Sequence, residues 1–251
     1  MDPATEQLSA SPKRRRGIYL LPNLFTTAAL FAGFYAITAA MNQRYELAAI
    51  SIFIAMVLDG LDGRVARLTN TQSAFGAEYD SMADVISFGV APALVMYTWS
   101  LAGLGKIGWV AAFVHTAGAA LRLARFNTQI ATADKRYFQG LPSPSAAAIL
   151  AGFIWVCESY GFAGASVAYV ALALAIATGL LMVSNFRFNS FKDIDLKGLV
   201  PFLWAIVIML VFAFMFTNPP LVLFVMFAGY AVSGPVLTLL GRRKMRSERR
   251  A

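Results

Sequence analysis

Long apolar stretches alternate with short polar breaks along most of the chain. Residues 202–216 and 221–240 contain no charged side chain, whereas a helix on the surface of a soluble protein has a polar face. Several stretches approach or exceed the ~18 apolar residues that indicate a membrane-spanning helix. The pattern predicts an all-α integral membrane protein with about eight spans, at residues 18–41, 45–67, 80–101, 107–127, 143–160, 165–184, 199–217 and 220–240.

Composition and charge agree with a membrane protein. Hydrophobic residues make up 59% of the chain and charged residues 14%, and the formal net charge is +8. A positive charge also occurs in nucleic-acid-binding proteins, but these basic residues flank the apolar spans and form no basic domain with aromatic platforms. We therefore expect the membrane surface, and no nucleic acid, as the partner of the basic residues.

The distribution of basic residues predicts the orientation. Eight spans place both termini on one side, and all of the 21 Lys and Arg residues except Arg44 and Lys106 then lie on that side. Because basic loops stay in the cytoplasm, we predict cytoplasmic termini and location in the cytoplasmic (inner) membrane. Residues 1–17 form a basic cytoplasmic segment, which we expect to contact anionic lipid. The lone His115 and Cys157 lie in apolar runs, so we expect packing roles for both.

A cluster of aspartates interrupts the apolar pattern between residues 59 and 84. Asp59 and Asp62, three residues apart, share one helix face, and Asp80 and Asp84, four apart, share another. The first pair ends one predicted span and the second pair begins the next. An antiparallel hairpin therefore brings the four carboxylates together at one membrane depth.

Four carboxylates at close range repel one another unless a cation lies among them. Mg²⁺ and Mn²⁺ suit such oxygen ligands and leave coordination positions for phosphate oxygens. We therefore predict a divalent-metal site, with a structural ion-pair network through Arg64 and Arg67 as the alternative. Gly60, Gly63 and Gly76 leave room for a phosphate ester. Together these features predict phosphoryl transfer, in which a carboxylate free of metal accepts the proton of an attacking hydroxyl.

The spacing resembles the motif of the CDP-alcohol phosphotransferase family. The matching positions are Asp59-x2-Asp62-Gly63-x2-Ala66-Arg67-x8-Gly76-x3-Asp80-x3-Asp84. Four further stretches resemble the branch of this family that uses serine as its acceptor alcohol: LPNL at 21–24, SFGVAP at 87–92, RLARFN at 122–127 and GLPSP at 140–144.

This resemblance implies a six-helix transmembrane core, usually in a homodimer, with a cytoplasm-facing cleft that opens to lipid. We expect the core at residues 18–184, a two-helix extension at 185–240 and a basic cytoplasmic tail at 241–251. The implied substrates are CDP-diacylglycerol and L-serine, with two divalent ions, Mg²⁺ or Mn²⁺, against the diphosphate.

The resemblance also assigns roles by position. Asp59, Asp62 and Asp80 would be the principal metal ligands, and Asp84 would be the general base and a further ligand. The implied nucleotide-binding residues are Asn23, Gly63, Ala66, Arg67 and Gly76.

A serine acceptor has a free carboxylate, which favours binding by a guanidinium. We expect Arg125 first and then Arg122 in this role, with Lys135, Ser143 and Asn127 nearby. The alternative is that these arginines only extend towards the membrane surface.

Other functions fit parts of the pattern. A related enzyme could use glycerol 3-phosphate, inositol phosphate, choline or a second lipid as acceptor, and metal-dependent prenyltransferases also carry aspartate-rich motifs. From a different class, an ion-coupled transporter would place acids near the midplane of several helices. The grouping of four aspartates at one membrane edge favours the enzyme.

Overall fold

The computed structural model describes residues 20–69, 71–129, 137–189 and 202–248. Within these ranges the chain forms eight long helices and one short antiparallel ribbon. Their bounds are α1 Leu20–Met41, α2 Tyr45–Leu68, α3 Ala74–Leu104, α4 Lys106–Gln129, β1 Tyr137–Gln139, α5 Ser143–Ser159, α6 Ala168–Val183, β2 Arg187–Asn189, α7 Phe202–Thr217 and α8 Pro219–Glu248.

The predicted all-α membrane architecture is confirmed. Each predicted span corresponds to one of these helices. By length and composition, α1, α3, α4, α6 and α8 are apolar enough to cross a membrane, and α5 is a shorter apolar helix of 17 residues. The chain is therefore a multi-pass membrane protein. The count of eight spans and the orientation stay predictions.

Two helices are longer than the hydrophobic pattern predicted. Helix α3 begins at Ala74 instead of residue 80, because Ser73 caps its first turn: Ser73 Oγ accepts a hydrogen bond from Gly76 N at 3.0 Å. Helix α8 continues past residue 240 to Glu248. This last stretch contains no proline and is rich in basic residues, which favour the negative end of the helix dipole.

Small residues hold the helices around the site close together. Buried alanines line the contact between α1 and α2, among them Ala36, Ala48 and Ala49, which are fully buried. Just beyond the aspartates, Ser87 Oγ of α3 donates to the carbonyl of Ala29 at 3.2 Å. A Cβ on Gly33 of α1 would lie 2.7 Å from Ser87 Oγ. Such close approach is how helices gain packing energy in lipid.

The ribbon is a feature that the sequence did not predict. Strand β1 pairs antiparallel with β2, with Phe138 opposite Phe188. Gly140 follows β1 with a φ of +79° and donates its N–H to the carbonyl of Phe186 at 2.9 Å. Three-residue strands are too short to show an alternating pattern, and their partners lie far apart in sequence. The ribbon joins the connection after α4 to the connection after α6.

The predicted packing roles of His115 and Cys157 are confirmed. His115 is fully buried, and its ring nitrogens contact the Thr178 hydroxyl at 2.8 Å and the Phe88 carbonyl at 3.2 Å. Cys157 is a buried free thiol. Both side chains therefore belong to the helix packing.

Candidate metal centre

The structure brings together the four aspartates of the motif. One carboxylate oxygen from each of Asp59, Asp62 and Asp80 lies within 4.8 Å of the other two. The carboxyl group of Asp84 lies close to that of Asp59, and the carboxyl group of Asp80 lies close to that of Asp62. Because like charges repel at such distances, the arrangement favours shared protons or a cation among the carboxylates. The α2–α3 hairpin thus produces the convergence that helical spacing predicted.

The surroundings of the cluster suit a divalent cation. Asp62 is 5% exposed, and its Oδ2 accepts a 2.7 Å hydrogen bond from the Thr26 hydroxyl of α1. In the described part of the chain, Asp80 Oδ1 is buried without a hydrogen-bond partner. A buried acceptor without a donor is costly, and a hard cation would satisfy it. The donor set therefore fits Mg²⁺ or Mn²⁺.

The arginines of the motif lie away from this cluster. Arg67 is exposed and donates Nε to the Gly63 carbonyl of its own helix at 2.9 Å. Arg64 is also exposed. Within the ranges that the structure describes, neither arginine pairs with the four carboxylates. The alternative of a structural ion-pair network is therefore not supported.

The other residues expected at the nucleotide lie on α1, α2 and α3, the helices that contribute side chains to the cluster. A Cβ at Gly63 would meet no atom within 4 Å, so open space adjoins this position. Gly76 lies beside α1, where its Cβ would be 3.3 Å from Asn23 Oδ1. Ala66 is half-buried one turn from Gly63. The structure thus places Asn23 next to Gly76 and leaves the α2 side open to a ligand.

We expect Gly63→Leu to raise the KM for CDP-diacylglycerol at least about tenfold, because the added side chain fills the open space next to the aspartates. The helix should tolerate the change, since no atom from another described part of the structure lies within 4 Å of the new Cβ. Steady-state CMP release measures the effect. Gly103→Leu, in equally open space at the other end of α3, should behave as wild type; a normal KM for Gly63→Leu would remove Gly63 from the site.

Sequence reasoning missed Thr26, which the structure adds to the cluster. Thr26 is 4% exposed, and its hydroxyl contacts the Pro22 carbonyl at 3.2 Å and donates to Asp62. Thr26 lies three residues after Asn23 and so on the same face of α1, which is the signal that could have identified it. The adjacent Thr27 contacts the Tyr79 hydroxyl at 2.9 Å and links α1 to α3.

The expected acceptor residues separate into two groups. Arg122 is 9% exposed, donates from Nη1 to Ser143 Oγ at 3.1 Å and interacts electrostatically with Asp84. Its Nε is buried without a hydrogen-bond partner in the described residues. Arg125 instead contacts Asn185 Oδ1 at 3.4 Å. Arg122 and Ser143 therefore lie together beside the aspartates, whereas Lys135 lies outside the described residues.

Asn127, also expected near the acceptor, contacts helix α3. Its Nδ2 donates to Ser81 Oγ at 3.1 Å, one residue after Asp80. The hydrogen bond ties the last turns of α4 to the helix that carries the second aspartate pair. Asn127 therefore contacts α3 through Ser81.

The fold and the site define a multi-pass helical membrane protein with a carboxylate cluster that can hold a metal ion. The family model for CDP-alcohol phosphatidyltransferase matches residues 19–181, and the chain belongs to this family. The resemblance found in the aspartate motif is thus confirmed. Helices α7 and α8 lie beyond the matched region.

Curated relatives carry the name CDP-diacylglycerol–serine O-phosphatidyltransferase. The chain is 41% identical to the Helicobacter pylori protein over 177 residues, which cover 70% of this chain and 75% of the relative. It is 37% identical to the Mycobacterium tuberculosis protein over 182 residues, covering 69% and 63%. It is 39% identical to the Methanocaldococcus jannaschii protein over 142 residues, covering 57% and 63%.

Proposed function

We propose that this protein transfers the phosphatidyl group of CDP-diacylglycerol to the hydroxyl of L-serine, forming phosphatidylserine and CMP. Relatives from bacteria and an archaeon bear the name of this reaction. The observation that carries the proposal is a buried arginine beside four converging carboxylates. The carboxylates suit a diphosphate held through cations, and the arginine suits an acceptor with a carboxylate.

The cofactors in this proposal are two divalent ions, Mg²⁺ or Mn²⁺. Asp59, Asp62 and Asp80 would hold them, with Asp84 as a further ligand. When bound, such ions neutralise the diphosphate and the departing CMP. The buried, unpartnered Oδ1 of Asp80 supports this assignment.

Asp84 is the proposed general base. It interacts with Asp59, a proposed metal ligand, and with Arg122, the buried arginine proposed for the acceptor. Its carboxylate takes the proton of the serine hydroxyl, and the hydroxyl oxygen attacks the phosphorus that carries diacylglycerol. The bond from that phosphorus to the CMP oxygen breaks, and phosphatidylserine stays in the bilayer. Arg67, exposed near Gly63, is proposed to meet the CMP phosphate.

Arg122 is the proposed main partner of the serine carboxylate. This reverses the order expected from the sequence, because Arg122 is the buried arginine and interacts with Asp84, whereas Arg125 contacts Asn185. The Ser143 hydroxyl accepts from one end of the guanidinium and leaves other donors for the acceptor. Arg125 and Lys135 are also proposed to contribute to acceptor binding.

The proposal includes the location and assembly of the enzyme. We place the site at the cytoplasmic face of the inner membrane, with both termini in the cytoplasm and the catalytic core at residues 18–184, in a homodimer. The distribution of basic residues supports this orientation. Serine then arrives from the cytosol, CMP leaves to it, and the acyl chains stay in lipid.

An acceptor assay tests the proposed reaction. We expect purified protein with CDP-diacylglycerol and Mn²⁺ or Mg²⁺ to release CMP and form labelled phosphatidylserine when labelled serine is added. Glycerol 3-phosphate, inositol phosphate and choline should give no lipid product, and chelation of the metal should stop CMP release. Product from glycerol 3-phosphate but none from serine would end the serine assignment. Cation uptake into proteoliposomes without any CMP release would instead favour a transporter.

A further inference from the structure

Helix α8 lies outside the matched family region, which ends at residue 181, yet it packs on the core. It contacts both α5 and strand β2. Phe188 of β2 is fully buried, and its ring centroid lies 5.5 Å from that of Tyr230 on α8. Gly234 makes room for the same ring, since a Cβ there would collide with Phe188. One turn later, Thr238 Oγ1 accepts a hydrogen bond from Arg187 N at 3.1 Å.

The contact residues of α8 share one face. Tyr230, Gly234 and Thr238 are spaced four residues apart, so they lie in one row along the helix. This row packs against strand β2 of the ribbon, and the buried Phe188 ring lies between β2 and α8. The ribbon therefore holds α8 in a defined register against the family domain.

Tyr230, the first residue of this row, packs against a buried cluster that contains Ala119 of α4 and Ala146 of α5. These alanines lie one helical turn from Arg122 and from Ser143, so the Tyr230 side chain lies close to the Arg122 guanidinium. Arg122 in turn interacts with Asp84 of α3 and donates to Ser143 of α5. Residues of three other helices thus lie around one buried guanidinium, and one of those helices, α8, is not part of the family domain.

The guanidinium has an unused donor at this place. Arg122 Nε is buried without a hydrogen-bond partner among the described residues. An unsatisfied donor on a buried cation is costly, so such a donor indicates a site for an anionic acceptor group. The guanidinium is planar, and its donors have a fixed geometry, so groups that hold one edge also orient the others.

We propose that α8 forms one wall of the acceptor pocket and that Tyr230 is a positioning residue, which orients the Arg122 guanidinium towards the carboxylate of the acceptor. The proposal rests on the proposed serine transfer and extends it to residues outside the matched region. Arg122 is then bound by the Ser143 hydroxyl and bordered by Tyr230 before the acceptor arrives. Such pre-organisation lowers the entropy lost on binding.

The first test is Tyr230→Phe, which keeps the ring packed on Phe188 and removes the hydroxyl. We expect the KM for serine to rise about tenfold, the cost typical of ordering one free long side chain on binding. The KM for CDP-diacylglycerol and kcat should change less than about twofold, because the oriented guanidinium is proposed to bind the acceptor and not CDP-diacylglycerol. Tyr169→Phe, at a side chain 78% exposed on α6, is the matched control and should behave as wild type.

The second test asks whether Tyr230 acts through Arg122. In an Arg122→Lys background, Tyr230→Phe should add little further increase in the KM for serine, because the oriented group is already lost. Full additivity of the two changes would overturn the proposal, as would an unchanged KM for serine in Tyr230→Phe. A rise in both KM values with a lower unfolding temperature would show a purely structural role and would also overturn it.

Failure of the proposed function would be visible separately. It would appear in the wild-type protein, as an absence of serine-dependent CMP release. If another alcohol is the acceptor, the Tyr230→Phe measurement is repeated with it. A raised KM for that alcohol supports α8 as a wall of the pocket, and an unchanged KM overturns it.

Discussion

Asp84→Asn is expected to lower kcat for CMP release by about 10²- to 10⁴-fold, the contribution typical of a general base. Asparagine has nearly the same shape but cannot take the proton of the serine hydroxyl. Three carboxylates, Asp59, Asp62 and Asp80, remain within 4.8 Å of one another. Binding of Mn²⁺, measured by electron paramagnetic resonance, and of CMP, measured by calorimetry, should therefore weaken by less than about tenfold.

The matched control for this variant is Glu78→Gln, which makes the same acid-to-amide change at an exposed position on α3. It should retain wild-type turnover, because Glu78 is outside the carboxylate cluster. The base assignment is wrong if Asp84→Asn loses Mn²⁺ as completely as a variant of a principal ligand. Asp84 would then be a metal ligand only.

Asp62→Asn is expected to weaken the binding of both Mn²⁺ and CMP by more than about 100-fold, beyond the effect of an outer-shell change. Asp62 is the most buried of the three clustered ligands and contacts both Thr26 and Asp80. Neutralising it removes charge in surroundings that water cannot screen. Titration of Mn²⁺ without substrate measures the first effect, and CMP titration with Mn²⁺ present measures the second.

Thr26→Val tests the contribution of the hydrogen bond from Thr26 to the Asp62 carboxylate. The valine fills nearly the same volume but cannot donate to Asp62 Oδ2, so we expect an intermediate loss of about tenfold in Mn²⁺ affinity. Wild-type Mn²⁺ affinity in Asp62→Asn would show that this cluster is not the metal centre. The proposed reaction would then lose its principal structural support.

The convergence of the aspartates could be predicted because it depends on local geometry. Helical periodicity places Asp59 with Asp62 and Asp80 with Asp84, and a short connection makes the two helices antiparallel. Neither step needs knowledge of distant contacts. The positions of Gly63 and Gly76 near the aspartates could be predicted for the same reason, since these glycines belong to the same two helices.

The partners of these residues could not be predicted in this way. Thr26 is 36 residues from Asp62, and only the packing of α1 on α2 makes its hydroxyl a donor to the carboxylate. Local sequence also could not show which of Arg122 and Arg125 lies beside the aspartates. Both lie on α4 at the same end, and the neighbouring helices decide that Arg122 is buried beside Asp84.

The sequence alone determined the membrane class, the helical segments and the family, because hydrophobic runs and motif spacing are properties of consecutive residues. Only the tertiary structure decided that the ribbon forms and that Tyr230, more than 100 residues after Arg122, interacts with it. Contacts of this kind depend on close packing between distant segments, where glycines such as Gly234 admit a neighbouring ring. No local pattern of hydrophobic and polar residues encodes them.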